Sequence, residues 1–218
     1  MYFESREQAG IKLAGRLFDS YRYENCAVIA LNDGGVIVGE QIASFLHCVL
    51  TMLLVEDVVI PGENLTFGAV SQSGSFTVNS DFSQGEIDGY NSEYNGFFQE
   101  KKREAFQKIN RLVGDGGTIN YDLLRNRTVI LVSDGFRDGG ELDSVVDFLK
   151  PVRIDRLVIA SPIASSSAVD KLHIIADELH ILDVKSNYLD TDHYYENNTV
   201  PSHEETVDKI NKIVLNWR

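Results

Sequence analysis

The chain is short of basic residues, of cysteines and of long apolar runs, and each shortage argues against a class of function. Its 218 residues hold 20 Lys and Arg against 33 Asp and Glu, a formal net charge of -13 at pH 7. Nucleic acids and anionic membrane surfaces are gripped by basic patches, so this balance argues against a general binder of either. The two cysteines, Cys26 and Cys48, lie beside apolar segments and read as buried free thiols rather than a disulfide or a metal pair. No apolar run approaches the roughly 20 residues of a membrane span. Tyr2 to Gly10 is polar and mixed in charge, unlike a secretory signal, and cytoplasmic residence is the expectation. His173, His180, His193 and His203 show no metal-ligand spacing. No Ser-His-Asp order, internal repeat or low-complexity segment stands out.

What is present is an α/β pattern. Ser5 and Gln8 fit a capping box, ahead of a helix that buries Ala9, Leu13, Ala14, Leu17 and Phe18. Cys26 to Leu31 reads as a core strand. Gly34 and Gly35 follow it, then a helix from Val36 to His47 and a buried strand from Val49 to Val55, an order that suggests a right-handed βαβ unit. Phe67 to Val78 alternates, with Ser73-Gly74 as a hairpin turn. Asn79 to Ser92 reads as a flexible polar loop, and Glu93 to Val113 as a charged helix. Beyond residue 150 come a strand at Leu157 to Pro162, a helix at Ser166 to Asp177 and a strand at Leu179 to Val184. A second capping box, Ser202 and Glu205, opens a last helix with Val207, Ile210, Ile213, Val214 and Trp217 on one face.

The stretch richest in chemistry is Thr128 to Leu142, TVILVSDGFRDGGEL. Val129 to Val132 is a continuous apolar run, as a central parallel strand covered on both faces requires. Gly135, Gly139 and Gly140 allow a tight turn. A helix follows that places Leu142, Val145, Val146 and Leu149 on one face. Ligands of open α/β sheets bind beyond the carboxyl ends of the strands, where this loop lies.

This stretch resembles the signature loop of the type I phosphoribosyltransferases, commonly written Val-Ile-Leu-Val-Asp-Asp-Gly-Ile-Ala-Thr-Gly-Ala-Thr. The opening of the chain is similar to that of a bacterial group of these proteins with Phe-x-x-Arg-x-x-Ala-Gly-x-x-Leu-Ala, here Phe3, Arg6, Ala9, Gly10, Leu13 and Ala14. That group has Leu-Pro-Arg-Gly-Gly after the first strand, where this chain has Leu31-Asn32-Asp33-Gly34-Gly35. It has a Gly-Ala-Val segment after the second, matched by Gly68-Ala69-Val70. The likeness runs from Phe3 to about Tyr195. It implies a central parallel sheet flanked by helices, with a small hood and a flexible loop. It also implies one domain over residues 1–218, in which about 67–120 form a hairpin, loop and helix inserted before the signature strand.

The resemblance further implies transfer of a 5-phosphoribosyl group between pyrophosphate and a nitrogenous acceptor, with magnesium. The ribose and phosphate loop would be Ser133, Asp134, Gly135, Phe136, Arg137, Asp138, Gly139, Gly140 and Glu141, with Asp134 the candidate catalytic acid on the ribose hydroxyls. The pyrophosphate loop would be Asn32, Asp33, Gly34 and Gly35. The expected partner is a small phosphoribosyl or nucleotide-like ligand, not nucleic acid or a membrane, and members of this fold often form homodimers.

Five positions depart from the pattern. Ser133 replaces the first of the paired acids, Asp138 and Glu141 stand for the two threonines, and Asn32-Asp33 replaces Pro-Arg. A carboxylate about 5 Å from a singly charged phosphate costs roughly 3 kcal/mol at an effective dielectric of about 20. Arg137 or a magnesium ion could offset part of this. Asp138 and Glu141 also lie where acids cap a helix start. Two readings therefore stand: a transferase, and a non-catalytic binding or regulatory protein on the same fold.

Overall fold

The computed structural model describes residues 2–63, 65–114, 119 and 121–216. In chain order the elements are α1 (Arg6–Tyr21), β1 (Cys26–Ala30), α2 (Asp33–Leu46), β2 (Val49–Met52), β3 (Val55–Val59), β4 (Thr66–Ser71), β5 (Phe76–Val78), α3 (Gln84–Gly114), β6 (Thr128–Val132), α4 (Leu142–Leu149), β7 (Arg156–Ser165), α5 (Ser166–Ile175), β8 (Glu178–Lys185) and α6 (His203–Asn216). Short 3-10 turns lie at Tyr121–Leu123 and Asp192–Tyr194. They form two compact units, one of residues 1–53, 117–139 and 152–218, the other of 54–116 and 140–151.

The first unit is built on a five-stranded sheet in the order β2-β1-β6-β7-β8. Every pairing in it is parallel. Every residue of β1 and β6 is buried, which is why their sequences are unbroken apolar runs rather than alternating ones. Ser5 starts α1 by accepting from the Gln8 amide at 3.1 Å. That helix buries Ala9, Leu13, Ala14 and Leu17; Phe18 stays half-exposed. Gly10 lets α1 lie close on α2, because a Cβ there would stand 2.9 Å from the Val38 carbonyl. Ser202 and Glu205 cap α6 reciprocally. Trp217 and the side chain of Val214, read on the apolar face of this helix, lie outside the described residues.

The second unit has a three-stranded antiparallel sheet, β3-β4-β5. Its β4–β5 turn runs through Gly74, whose φ of +80 suits glycine. The strand read as Val49 to Val55 in fact divides, and Val55 opens β3. Likewise most of the loop expected at Asn79 to Ser92 is helix. α3 begins at Gln84 and is kinked at Tyr94, where φ is -117 and ψ 17. The helix read from Glu93 is only the part beyond that kink. Ile87, Tyr90 and Tyr94 pack on the core of Val58, Ile60, Phe67 and Phe98, and this burial overrides the poor helix propensity of Gly85 and Gly89. Phe67 and Phe98 stack at 4.2 Å between centroids. α4 buries Leu142, Val145, Phe148 and Leu149, while Val146 is only half-buried.

Candidate functional site

The first unit brings three segments together at the carboxyl ends of β1 and β6. These are Asn32 to Gly35, Ser133 to Gly139, and a late stretch from Tyr188 to Tyr195. Asn32 has extended backbone and caps α2, its Oδ1 accepting from the Gly35 amide at 2.5 Å. Its Nδ2 reaches Ser133 Oγ at 3.4 Å. Asp33 turns aside to His203 of α6, 3.3 Å from Nδ1. The replacement of Pro-Arg by Asn-Asp thus gives the turn a helix cap and a hydrogen-bond partner for α6.

The centre of the site is an internal ion pair. Arg6 Nε lies 2.7 Å from Asp134 Oδ2, and the two residues are only 3% and 5% exposed. Arg6 Nη2 pairs with Asp192. The guanidinium also lies 4.5 Å from the centre of the Tyr195 ring, and Tyr195 donates its hydroxyl to the Asp134 carbonyl at 2.6 Å. Burial works against the Arg6 charge, but Asp134 and Asp192 outweigh it and hold the guanidinium above its ordinary pKa. Burial, reinforced by the Asp134 charge, pushes the Tyr195 phenol upward, so this hydroxyl stays a donor.

Glycine makes room for the pair. A Cβ on Gly34 would stand 2.1 Å from Asp134 Oδ2 and 2.8 Å from Arg6 Nε. Gly135 is covered in the same way, since a Cβ there would lie 2.5 Å from the Tyr188 hydroxyl. That hydroxyl shares a 2.8 Å hydrogen bond with Thr191.

The loop satisfies much of its own polarity. Ser133 Oγ donates to the Gly135 carbonyl at 3.0 Å and receives the Gly135 amide at 3.3 Å. Phe136, included in the ligand loop on sequence, is fully buried and bridges to β7. Its amide donates to Ile163 and its carbonyl accepts from Ser165. Arg137 Nε lies 3.7 Å from the Asp138 carboxylate, and Gly139 takes a φ of +68. Gly140 and Glu141 belong to the second unit. There Gly140 lies against Thr66, and Glu141 sits at the start of α4 without a side-chain capping bond.

On the sequence Arg6 is only a letter of the opening motif, and Asp192 and Tyr195 are not among the candidate site residues. The structure joins all three to Asp134. The available signal was a basic residue at a helix start facing no acid in its own segment. Among the described residues no cluster of three or more His, Cys, Asp or Glu could hold a metal ion, and no helix is long and apolar enough to cross a membrane.

Comparison with known proteins agrees with this topology. No family profile matches the chain. A Mycobacterium tuberculosis protein named "putative phosphoribosyl transferase", found under that name in strains CDC 1551 and H37Rv, is 26% identical over 207 residues. The match covers 94% of this chain and 45% of that protein, so the chain spans about half the length of the curated relatives it matches. Among solved structures, TT1426 from Thermus thermophilus superposes with a TM-score of 0.71 at 24% identity, covering 100% of this chain and 99% of its own. Fold and relatives define a phosphoribosyltransferase-like α/β protein. The fold is that of the type I phosphoribosyltransferases, and in sequence the chain is similar to putative phosphoribosyl transferases.

Proposed function

We propose that this chain is a non-catalytic binding member of its family, one that does not transfer phosphoribosyl groups at a useful rate. The observation that carries the reading is the buried pair between Arg6 and Asp134. The family resemblance gives Asp134 the task of gripping ribose hydroxyls, and here the carboxylate serves Arg6. Withdrawing it would leave a guanidinium buried without its main counter-charge, at a cost of about 3–5 kcal/mol. That lowers ligand affinity by at least about two orders of magnitude.

The phosphate-binding donors tell the same way. A glycine-rich turn at a helix start binds anions through free backbone N–H groups. Here the amide of Gly35 serves Asn32, and the amides of Gly135 and Phe136 serve Ser133 and Ile163. Asp138 adds negative charge to the same loop. Magnesium, which the resemblance implies, is not matched by the residues present. Asp134, the carboxylate best placed for it, faces a cation, and Ser133 stands where a second acid would be. The remaining capacity is for a small nucleotide-like ligand held by hydrogen bonds.

Calorimetry with phosphoribosyl pyrophosphate and magnesium tests the reading. The expected dissociation constant is weaker than about 100 μM, with no pyrophosphate released when common purine and pyrimidine bases are added. Micromolar binding, or pyrophosphate release with any base, would restore the transferase reading.

A further inference from the structure

At the amino ends of β1 and β2, away from the loops described above, the fold sets the two cysteines side by side. Nothing in the spacing of Cys26 and Cys48 joins them; the sheet register does. The strands pair in parallel with Ala27 against Val49, so Cys26 and Cys48 occupy the preceding position of the same register. Adjacent strands lie about 4.8 Å apart. Both side chains project to one face. Val28 and Leu50, two positions further along, both reach α2, since a Cβ on Gly39 would meet Val28 Cγ1 at 3.2 Å and Leu50 Cδ1 at 3.0 Å. Strand side chains return to the same face every second residue.

The two thiols also share a cavity. A space of about 120 Å3 within the first unit is lined by both, with Glu24, His47 and Arg127 beside them. It has room for an ion and a few waters, but not for a bulky aromatic reagent. Both cysteines are free and buried. Cys26 Sγ is held only by a weak bond, donating to the Tyr21 carbonyl at 3.8 Å. Burial keeps the proton on each thiol, whereas the Arg127 charge favours the thiolate in both. Ligand number and softness then select the occupant. Structural zinc sites take four protein ligands, and among the described residues no group of three or more His, Cys, Asp or Glu could hold a metal. Thiolates prefer soft ions such as Cu(I), and a soft monovalent ion with a filled d shell is satisfied by two sulfurs in line.

We propose that Cys26 and Cys48 form a two-coordinate site for a soft monovalent cation of the cuprous class. The ion bridges the two sulfurs and so ties β1 to β2. Each thiol gives its proton to solvent as its sulfur–metal bond forms, and no electron is transferred. Two thiolates and one monovalent ion leave a single negative charge, which Arg127 on the cavity wall offsets. The site is separate from the Ser133 to Gly139 loop and does not depend on whether that loop binds phosphoribosyl pyrophosphate.

The test is titration of the reduced full chain under argon with Cu(I), against bathocuproine disulfonate as competitor, and with Ag(I) as a redox-inert probe. The native chain is expected to take about one ion and to release about two protons with it. X-ray absorption of the Cu(I) form should show about two sulfur neighbours. Cys26→Ala and Cys48→Ala should each weaken binding at least about 100-fold, with circular dichroism reporting whether each variant is folded. Zinc should not displace the ion. Stoichiometry, proton release and sulfur count are read on the wild type and decide the case even where a variant fails to fold. The proposal is overturned if two ions bind per chain, if a folded single variant binds undiminished, or if the native chain takes up no ion until urea exposes the thiols.

Discussion

Replacing Arg6 by Met gives the sharpest test of how the site is held together. The substitution keeps most of the aliphatic stem and removes the guanidinium. Asp134 is then 5% exposed beside Gly34 with no cation paired to its Oδ2 among the described residues. An exposed ion pair contributes about 1 kcal/mol at most, but a buried one broken from one side costs about 3–5 kcal/mol. For a chain of this size each kcal/mol moves the melting temperature by about 2–4 °C. Arg6→Met is therefore expected to melt about 6–20 °C below the wild type by circular dichroism. Asp134→Leu alone should cost a comparable amount, because it leaves the buried Arg6 with only the exposed Asp192 as counter-charge. The double variant removes both charges and is expected to recover much of the loss, since a buried pair replaced by apolar groups is often neutral in stability. The coupling energy in the cycle should exceed about 2 kcal/mol. Additive losses, with a coupling below about 0.5 kcal/mol, would refute the claim that Asp134 is committed to Arg6 and would return it to the ribose site.

Two further outcomes follow from the same geometry. Gly34→Ala drives a methyl group into the Asp134 carboxylate and the Arg6 Nε. It should cost about 1–3 kcal/mol in urea unfolding, and a neutral result would show that the pair does not sit against that turn. Burial holds both thiols up, Cys26 to about 11 and Cys48 to about 12. Native protein at pH 8 should thus leave Ellman's reagent uncoloured until urea exposes two thiols, and prompt native reaction would contradict this. Because the thiol values are raised on folding, their contribution to stability is present below the ordinary value of 9.0 and is lost as pH climbs toward 11 to 12. Alkaline melting curves of Cys48→Ala should accordingly fall less steeply than those of the wild type.

Much of the fold was readable because its signals are local. The apolar runs of β1 and β6, the capping boxes at Ser5 and Ser202 and the Ser73-Gly74 turn each act within a few residues. β3 was missed because Glu56 and Asp57 interrupt its apolar character, and its existence depends on pairing with β4. The first part of α3 was missed because Gly85 and Gly89 argue against helix, and only packing on Phe67 and Phe98 offsets them. The candidate site was less legible. Arg6 and Asp134 lie 128 residues apart, and no spacing rule links them. Phe136 looked like a loop residue and is core, since a bridge to Ala164 turns it inward.

The parallel sheet, the family resemblance and the acidic character of both loops were legible in the sequence, because periodicity, turn residues and charge are properties of short segments. Only the tertiary structure decided what those acids do. Asp134 faces Arg6, Asp33 faces His203 and the amide of Gly135 faces Ser133. The direction of a carboxylate is set by whichever counter-charge the fold brings beside it in a space closed to water, and that neighbour comes from another part of the chain.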